Sequence, residues 1–265
     1  MSKLNINFID RLFAIDSSDG MDLVAKQIAD GSYEAPLPYV MMATLLRVEG
    51  AFVDVGANTG IYSVMAPTFA PNRKVIAFEP LPPVLSILRK NLALNDLQDK
   101  VTIHEVALSD RNGVASLHLP DPHHGLIETS ASLEREFKPV HSIIDVPVKR
   151  FDDMNITDFI GVIKADIEGH EYAFLNGARE TIMRDRPIIF AEVVGPAKRG
   201  PMNALLQNIG YMDFRLRSDM VIHDGEVLFD DSAWNHALIP VERLAKFKEI
   251  CDSCSLPMFR RFHLS

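Results

Sequence analysis

Two patterns of apolar residues alternate along this chain between residues 51 and 194. Short runs bounded by glycine, proline or acidic residues give way to stretches in which large apolar side chains recur every three or four positions. The runs at 51–55, 74–80, 101–108, 161–166 and 187–194 are mostly apolar, as parallel strands covered on both faces are. The stretches at 61–66 and 84–95, and the one that includes Tyr172, Phe174 and Leu175, predict helices packed on that sheet. A turn at 110–113 folds the third strand into a further strand at 114–119, and 145–151 reads as another. Residues 1–30 read as helical around a break at 17–20, on the spacing of Phe8, Ile9, Leu12 and Phe13 and then Leu23, Val24 and Ile28. Residues 39–47 form a helix that closes before the first strand. Downstream, 202–209 reads as a helix and 211–216, 220–223 and 237–241 as an antiparallel edge. The expected architecture is one α/β domain over 1–265, with a helical cap over 1–50, a central core over 51–195, and edge strands with a helix over 196–265.

The first strand of the core runs into Asp54-Val55-Gly56-Ala57-Asn58-Thr59-Gly60. A turn at the carboxyl end of a parallel strand is where open α/β sheets bind ligands, and glycine lets the backbone approach closely. Dinucleotide folds space their glycines as G-x-G-x-x-G to receive a pyrophosphate, whereas Asn58 stands here at the second of those places. The turn suits a zwitterionic amino-acid tail better. Asp54 can sit near the ammonium, while the amides from Gly56 through Ala57 to Gly60 and the Asn58 side chain take the carboxylate. Such a tail belongs to S-adenosylmethionine; the competing reading is an ordinary strand-to-helix turn. The next strand ends in Glu79-Pro80, and an acid there accepts both hydroxyls of a ribose. Backbone near Val106 and Ala107 would then lie beside the adenine.

A second group of chemically capable side chains follows the fourth parallel strand: Asp166, Glu168, His170 and Glu171 fall within six residues. Each is a candidate to take a proton, and His170 has the ordinary pKa best suited to a base near neutral pH. Glu192 closes the fifth strand. Together Asp166 and Glu192 could hold a divalent cation, which the sequence does not require. The irregular stretch 120–145 is placed to select an acceptor, with His123 and His124, and Glu192 at the end of the fifth strand, as candidate contacts. Tyr33 and Glu34 could reach the cofactor's carboxylate or an acceptor, or simply pack their loop.

Composition narrows the partners. Of 265 residues, 47% are hydrophobic and 24% charged, so the chain is long and apolar enough for a substantial core. The formal net charge of −9, with no long lysine or arginine run, disfavours nucleic acid as a substrate. Cys251 and Cys254 are spaced as C-x-x-C but lack the βαβ context of a redox pair and the extra ligands of a zinc site. Two cysteines and no secretory signal fit the cytoplasm, and no apolar run is long enough to span a membrane. The edge strands leave a homodimer open.

The sequence resembles the FkbM-type S-adenosylmethionine-dependent methyltransferases. The resemblance lies in F-V-D-V-G-A-N-T-G (52–60), V-I-A-F-E-P (75–80), A-L-S-D-R-N-G (107–113), I-K-A-D-I-E-G-H-E (163–171) and P-I-I-F-A-E-V (187–193). These motifs cover residues 31–195 in order and spacing, and the fourth is the most specific. The resemblance implies a class I methyltransferase fold, Rossmann-like and doubly wound, with a mostly parallel seven-stranded sheet, extra N-terminal helices and a small β insertion. It also implies methyl transfer to a hydroxyl of a small molecule such as a sugar, a glycolipid or a polyketide-type product. The family motif does not fix a histidine at position 170, which ranks Asp166 and Glu168 ahead of His170 as the base. The alternatives are a methyltransferase acting on RNA or protein, and a module that binds the cofactor without turnover.

Overall fold

A computed structural model describes residues 3–16, 21–120, 132–134, 140–195 and 197–260. His123 and His124 lie outside the described residues. The core opens with β3 (Ala51–Val55), α3 (Ile61–Phe69), β4 (Val75–Phe78), α4 (Pro82–Ala93) and β5 (Val101–His104). It continues after an insertion with β9 (Ile160–Ala165), α5 (Glu171–Gly177), α6 (Arg179–Asp185), β10 (Ile188–Glu192) and α7 (Arg199–Ile209). Then come β11 (Tyr211–Leu216), β12 (Val221–His223), β13 (Asn235–Pro240), α8 (Leu244–Ser253) and β14 (Met258–Arg260).

Among the described residues, one sheet contains nine strands in the order β14-β12-β11-β13-β10-β9-β3-β4-β5. The five strands from β10 to β5 are parallel, β13 and β11 follow with antiparallel pairing, and β12 and β14 extend the far edge. The chain winds outward from β3 to β5, returns to the other side of β3 with β9, and winds outward again. That reversal between β3 and β9 is the topological switch point of a doubly wound sheet, where a crevice opens beyond the strand ends. The seven strands from β5 to β11 match the expected set. The sheet is nine-stranded because β12, which falls within the edge strand expected at 220–223, and β14, a three-residue strand that the sequence does not announce, add to it.

Burial explains the layering. Every residue of β3 and β9 is buried, including Asp54 and Lys164. Phe52, Val162 and Phe190 pack on one face with α2 (Leu37–Leu45), α3 and α8, while Val53, Ile163 and Ile189 pack on the other with α5, α6 and α7. The Pro82-Pro83 pair opens α4, where a helix needs no amide hydrogens.

Two expectations are corrected. Residues 3–16 are a hairpin, β1 (Lys3–Phe8) paired antiparallel with β2 (Arg11–Asp16), and only α1 (Met21–Ala29) of that region is helical. Ile9 and Asp10 turn the hairpin with φ of 46° and 59°, the two-residue geometry that suits the twist of paired strands. Residues 101–108 are likewise not one strand. Backbone pairing passes from β5 in the large sheet to β6 (Ala107–Leu108) in a separate three-stranded sheet. There β8 (Val140–Lys149) lies between β6 and β7 (Gly113–Pro120), so the turn at 110–113 does not pair its two flanking strands with each other.

Candidate active site

The glycine turn is shaped by close approach. Gly56 has φ of 72°, and a Cβ there would stand 2.1 Å from the Asp166 carbonyl oxygen, so only glycine brings the end of β3 against the end of β9. The turn's amides are all used internally. Gly56 and Ala57 both donate to the Phe78 carbonyl, Asn58 to Glu79 Oε2 at 3.0 Å, Thr59 to Asn58 Oδ1, and Gly60 to the Ala57 carbonyl. Asn91, fully buried on α4, braces the turn from behind: its Nδ2 donates to the Thr59 carbonyl at 2.7 Å, and its Oδ1 accepts from the Asp16 amide. Nothing in the turn motif itself points to Asn91. A lone amide within an apolar helix face was its only signal.

Glu79 ties the two landmark motifs together. Its other oxygen accepts the Leu81 amide at 2.8 Å, and burial, opposed by these two amides and aided by Asp54, pushes its carboxyl up to about 7. Beyond it opens a cleft at the strand ends, with Gly56, Asn58, Glu79 and Pro80 on one side. Val106, Ala107, Leu108, Leu117 and Leu133 give it an apolar wall, and Asp166, Glu168 and His170 close it. An apolar slot with a few convergent polar groups suits a nucleoside.

Asp54, Ala57 and Gly60 stand behind this cleft and do not line it. Asp54 is buried: its Oδ2 accepts from the Ser63 hydroxyl at 2.7 Å, and its Oδ1 has no partner among the described residues. Burial raises its carboxyl, against the pull of Lys164 and Ser63. Lys164, its register partner on β9, donates to Asp166 Oδ2 at 2.9 Å and stands 4.8 Å from the centre of the Tyr62 ring. Burial works against that ammonium, but Asp166, Glu34 and Asp54 hold it more firmly protonated than usual. The Tyr62 hydroxyl donates to Glu34 Oε2 at 2.6 Å, which brings the 33–36 turn over the same end of the sheet. Glu34 was open in the sequence between site and packing; Lys164 and Tyr62 received no role there, although a lysine in an otherwise apolar strand is a usable signal.

The post-β9 acids divide by environment. Glu171 is fully buried, and its Oε1 accepts the amides of Ile167 at 3.0 Å and Gly169 at 3.3 Å. Burial pushes its carboxyl up to about 7 despite those amides, so it shapes the turn from inside. His170 is engaged at both ring nitrogens, 2.9 Å from Ser109 Oγ through Nε2 and 2.8 Å from Glu134 Oε1 through Nδ1. Burial lowers its pKa against the pull of Glu134. Lys198 donates to the same Glu134 oxygen, so the histidine knits three segments together.

Asp166 and Glu168 remain at the cleft. With Glu192 they form the one group of three among the described residues able to hold a metal ion, with ligand atoms within 4.8 Å of one another. Burial first, then the charges of Asp166, Glu168 and Glu171, pushes the Glu192 carboxyl far above the usual carboxylate range. Its Oε2 is buried without a partner among the described residues. All three donors are carboxylates, the ligand type that suits magnesium or manganese.

A sequence model described as the methyltransferase FkbM domain matches residues 54–216, which includes the turn, Glu79, the acids and Glu192. The chain belongs to the FkbM methyltransferase family. Its sheet and switch point are those of the class I methyltransferase fold. Among curated relatives, the methyltransferase sdnD of Sordaria araneosa is 27% identical over 196 residues, covering 63% of this chain and 75% of that protein. The 2-O-methyltransferase NoeI of Sinorhizobium fredii is 24% identical over 159 residues, covering 55% of this chain and 64% of that protein. A crystal structure of methyltransferase FkbM from Methylobacillus flagellatus KT superposes with a TM-score of 0.47 at 19% identity, covering 72% of this chain and 43% of that one. This chain thus spans less than half the length of that structure. Among the described residues, no helix is long and apolar enough to cross a membrane.

Proposed function

We propose that this chain is an S-adenosylmethionine-dependent O-methyltransferase acting on a small hydroxyl-bearing acceptor, a sugar, glycolipid or polyketide-type molecule. The observation that carries the reading is the convergence of the Gly56 turn, Glu79 and the Asp166–Glu168 pair on one cleft at the switch point. The residues fit the cofactor: Gly56 and Asn58 line the cleft beside Glu79, the cleft wall is apolar where a base would stack, and Glu79 is placed for a ribose. A relative named as a 2-O-methyltransferase supports oxygen as the target.

The cofactor supplies a methyl group made electrophilic by a sulfonium. The chain's own task is to orient the acceptor hydroxyl and accept its proton. Asp166 and Glu168 are the groups we assign to that role, because Glu171 is sealed inside the turn and His170 is committed at both nitrogens. A screen for transfer of labelled methyl from S-adenosylmethionine to glycosides, nucleotide sugars and polyketide alcohols tests the reading. With an active acceptor in hand, Glu168→Gln or Asp166→Asn should lower kcat by about 10²-fold or more. Absence of any binding of S-adenosylhomocysteine would overturn the assignment.

A metal-assisted version is favoured by the carboxylate triad and the open Glu192 oxygen. Asp166, Glu168 and Glu192 would hold the ion, which would lower the acceptor's pKa. Calorimetric titration of magnesium or manganese into chelator-treated protein should then show a single site that Glu192→Gln removes. No heat in the wild-type chain would leave the acids as the base alone.

A further inference from the structure

An amino-acid tail carries one carboxylate and one ammonium, and the glycine turn has no uncommitted amide N–H for the carboxylate. All five amides from Gly56 to Gly60 already have partners within the protein. A carboxylate arriving at this end of the cleft must be met by side chains.

The side chains are present beside the turn. Asp54 and Lys164 face each other in register on β3 and β9, on the same side of the sheet. Lys164 has three donors and gives one to Asp166, while the Asp54 Oδ1 atom is buried without a partner among the described residues. Tyr62, in the first turn of α3, organises the rest: its ring lies 4.8 Å from the Lys164 ammonium and its hydroxyl bonds Glu34 at 2.6 Å. One aromatic side chain thus holds an ammonium over its face and a carboxylate at its rim. Glu34 adopts φ of 45°, a backbone conformation that residues bearing side chains avoid, as its carboxylate reaches Tyr62. Burial raises the Glu34 carboxyl, and the Lys164 charge opposes that rise by favouring the ionised form. A cation and an anion set side by side complement the two charges of an amino acid.

We propose that Lys164 receives the carboxylate of the cofactor's amino-acid tail and that Glu34, with the open oxygen of Asp54, receives its ammonium. This deepens the cofactor reading above and rests on it. Glu34 precedes the span matched by the family model, so the N-terminal segment becomes part of the cofactor site and more than a cap on the sheet.

Two ligands separate the tail from the nucleoside: S-adenosylhomocysteine, and 5′-methylthioadenosine, which keeps the adenosine and sulfur but lacks the amino-acid group. Calorimetry on the full chain is expected to show the first binding at least about tenfold more tightly, the difference that charge-assisted contacts supply. In Lys164→Met and in Glu34→Gln that preference should shrink about tenfold, with methylthioadenosine held within about twofold of wild type. Lys164→Arg, which keeps the charge, should retain most of the preference. An undiminished preference in both neutral variants overturns the assignment. An equal loss for both ligands also overturns it, because a prop for the cap would act on the whole site. If Lys164→Met does not fold, Glu34→Gln decides alone, since its half-buried turn tolerates an isosteric amide. Failure of both ligands to bind the wild-type chain is a different result, which removes the nucleoside cofactor and the tail site with it.

Discussion

On the proposed cofactor reading, the Glu79 carboxylate would serve both folding and binding. Its ordinary value of 4.5 is raised to about 7 in the fold, so the folded chain holds a proton that the unfolded chain has released. Stability from this group is therefore greatest below about 4.5 and falls as pH rises towards 7, by about 3 kcal/mol in all. Asp54, buried behind it, is raised by burial in the same direction and adds to the fall. Thermal melting between pH 5 and 8 should show the decline, and Glu79→Gln should flatten it. Ligand binding runs the other way. Ribose hydroxyls donate to the ionised form, so S-adenosylhomocysteine affinity should rise through pH 7, a trend the same variant should abolish. Gly56→Ala makes a sterner change at the same turn. It strains a left-handed residue and drives a methyl group into the Asp166 carbonyl, so it should cost about 2 kcal/mol or more and lower the melting temperature.

Elements here are held by single buried side chains at their ends. Glu171 is the clearest, since its carboxylate satisfies the Ile167 and Gly169 amides of the turn after β9. Glu171→Ala strands both amides and should destabilise by about 2–4 kcal/mol in denaturant titration, while Glu171→Gln keeps an acceptor oxygen and should cost less. The hairpin of β1 and β2 depends on α4 in the same way: Asn95 bonds both polar groups of Ala14, and Asn91 accepts the Asp16 amide. Hydrogen exchange on an Asn91→Ala, Asn95→Ala double variant should show residues 3–16 opening well before β9. That hairpin also shows where periodicity misleads. Phe8, Ile9, Leu12 and Phe13 fit a helix, yet Lys3, Asn5 and Asn7 alternate with Leu4, Ile6 and Phe8, the period-two signature of a strand with one wet face. Apart from 101–108, whose end lacks such a marker, the parallel strands pose no such ambiguity, because flanking glycines and acids set their ends.

Charge acts across the whole molecule. The net charge of −9 draws cations, and S-adenosylmethionine carries one positive charge more than S-adenosylhomocysteine. Raising ionic strength should therefore weaken binding of the former more than that of the latter, a difference calorimetry at low and high salt would reveal. The candidate site was legible to the extent that its residues sit in local motifs at strand ends: the glycine turn, Glu79 and the acids after β9. Lys164, Tyr62, Asn91 and Glu134 were not, because each acts through a neighbour distant in the chain, and one sequence does not record such neighbours. The division among Asp166, Glu168, His170 and Glu171 was hidden for the same reason, since burial and loop amides separate four residues that look equivalent in a row.

The reversal of strand order at β3 has a consequence for a chain emerging from a ribosome. The glycine turn and Glu79 appear early, but β3 lacks its inner neighbour until β9 is made, and β10, which carries Glu192, lacks its outer neighbour until β13 has emerged. A nascent chain thus carries only half of the proposed nucleoside site until β9 has been made. On the proposed cofactor reading, the ligand would bind and stabilise completed molecules without acting on unfinished ones.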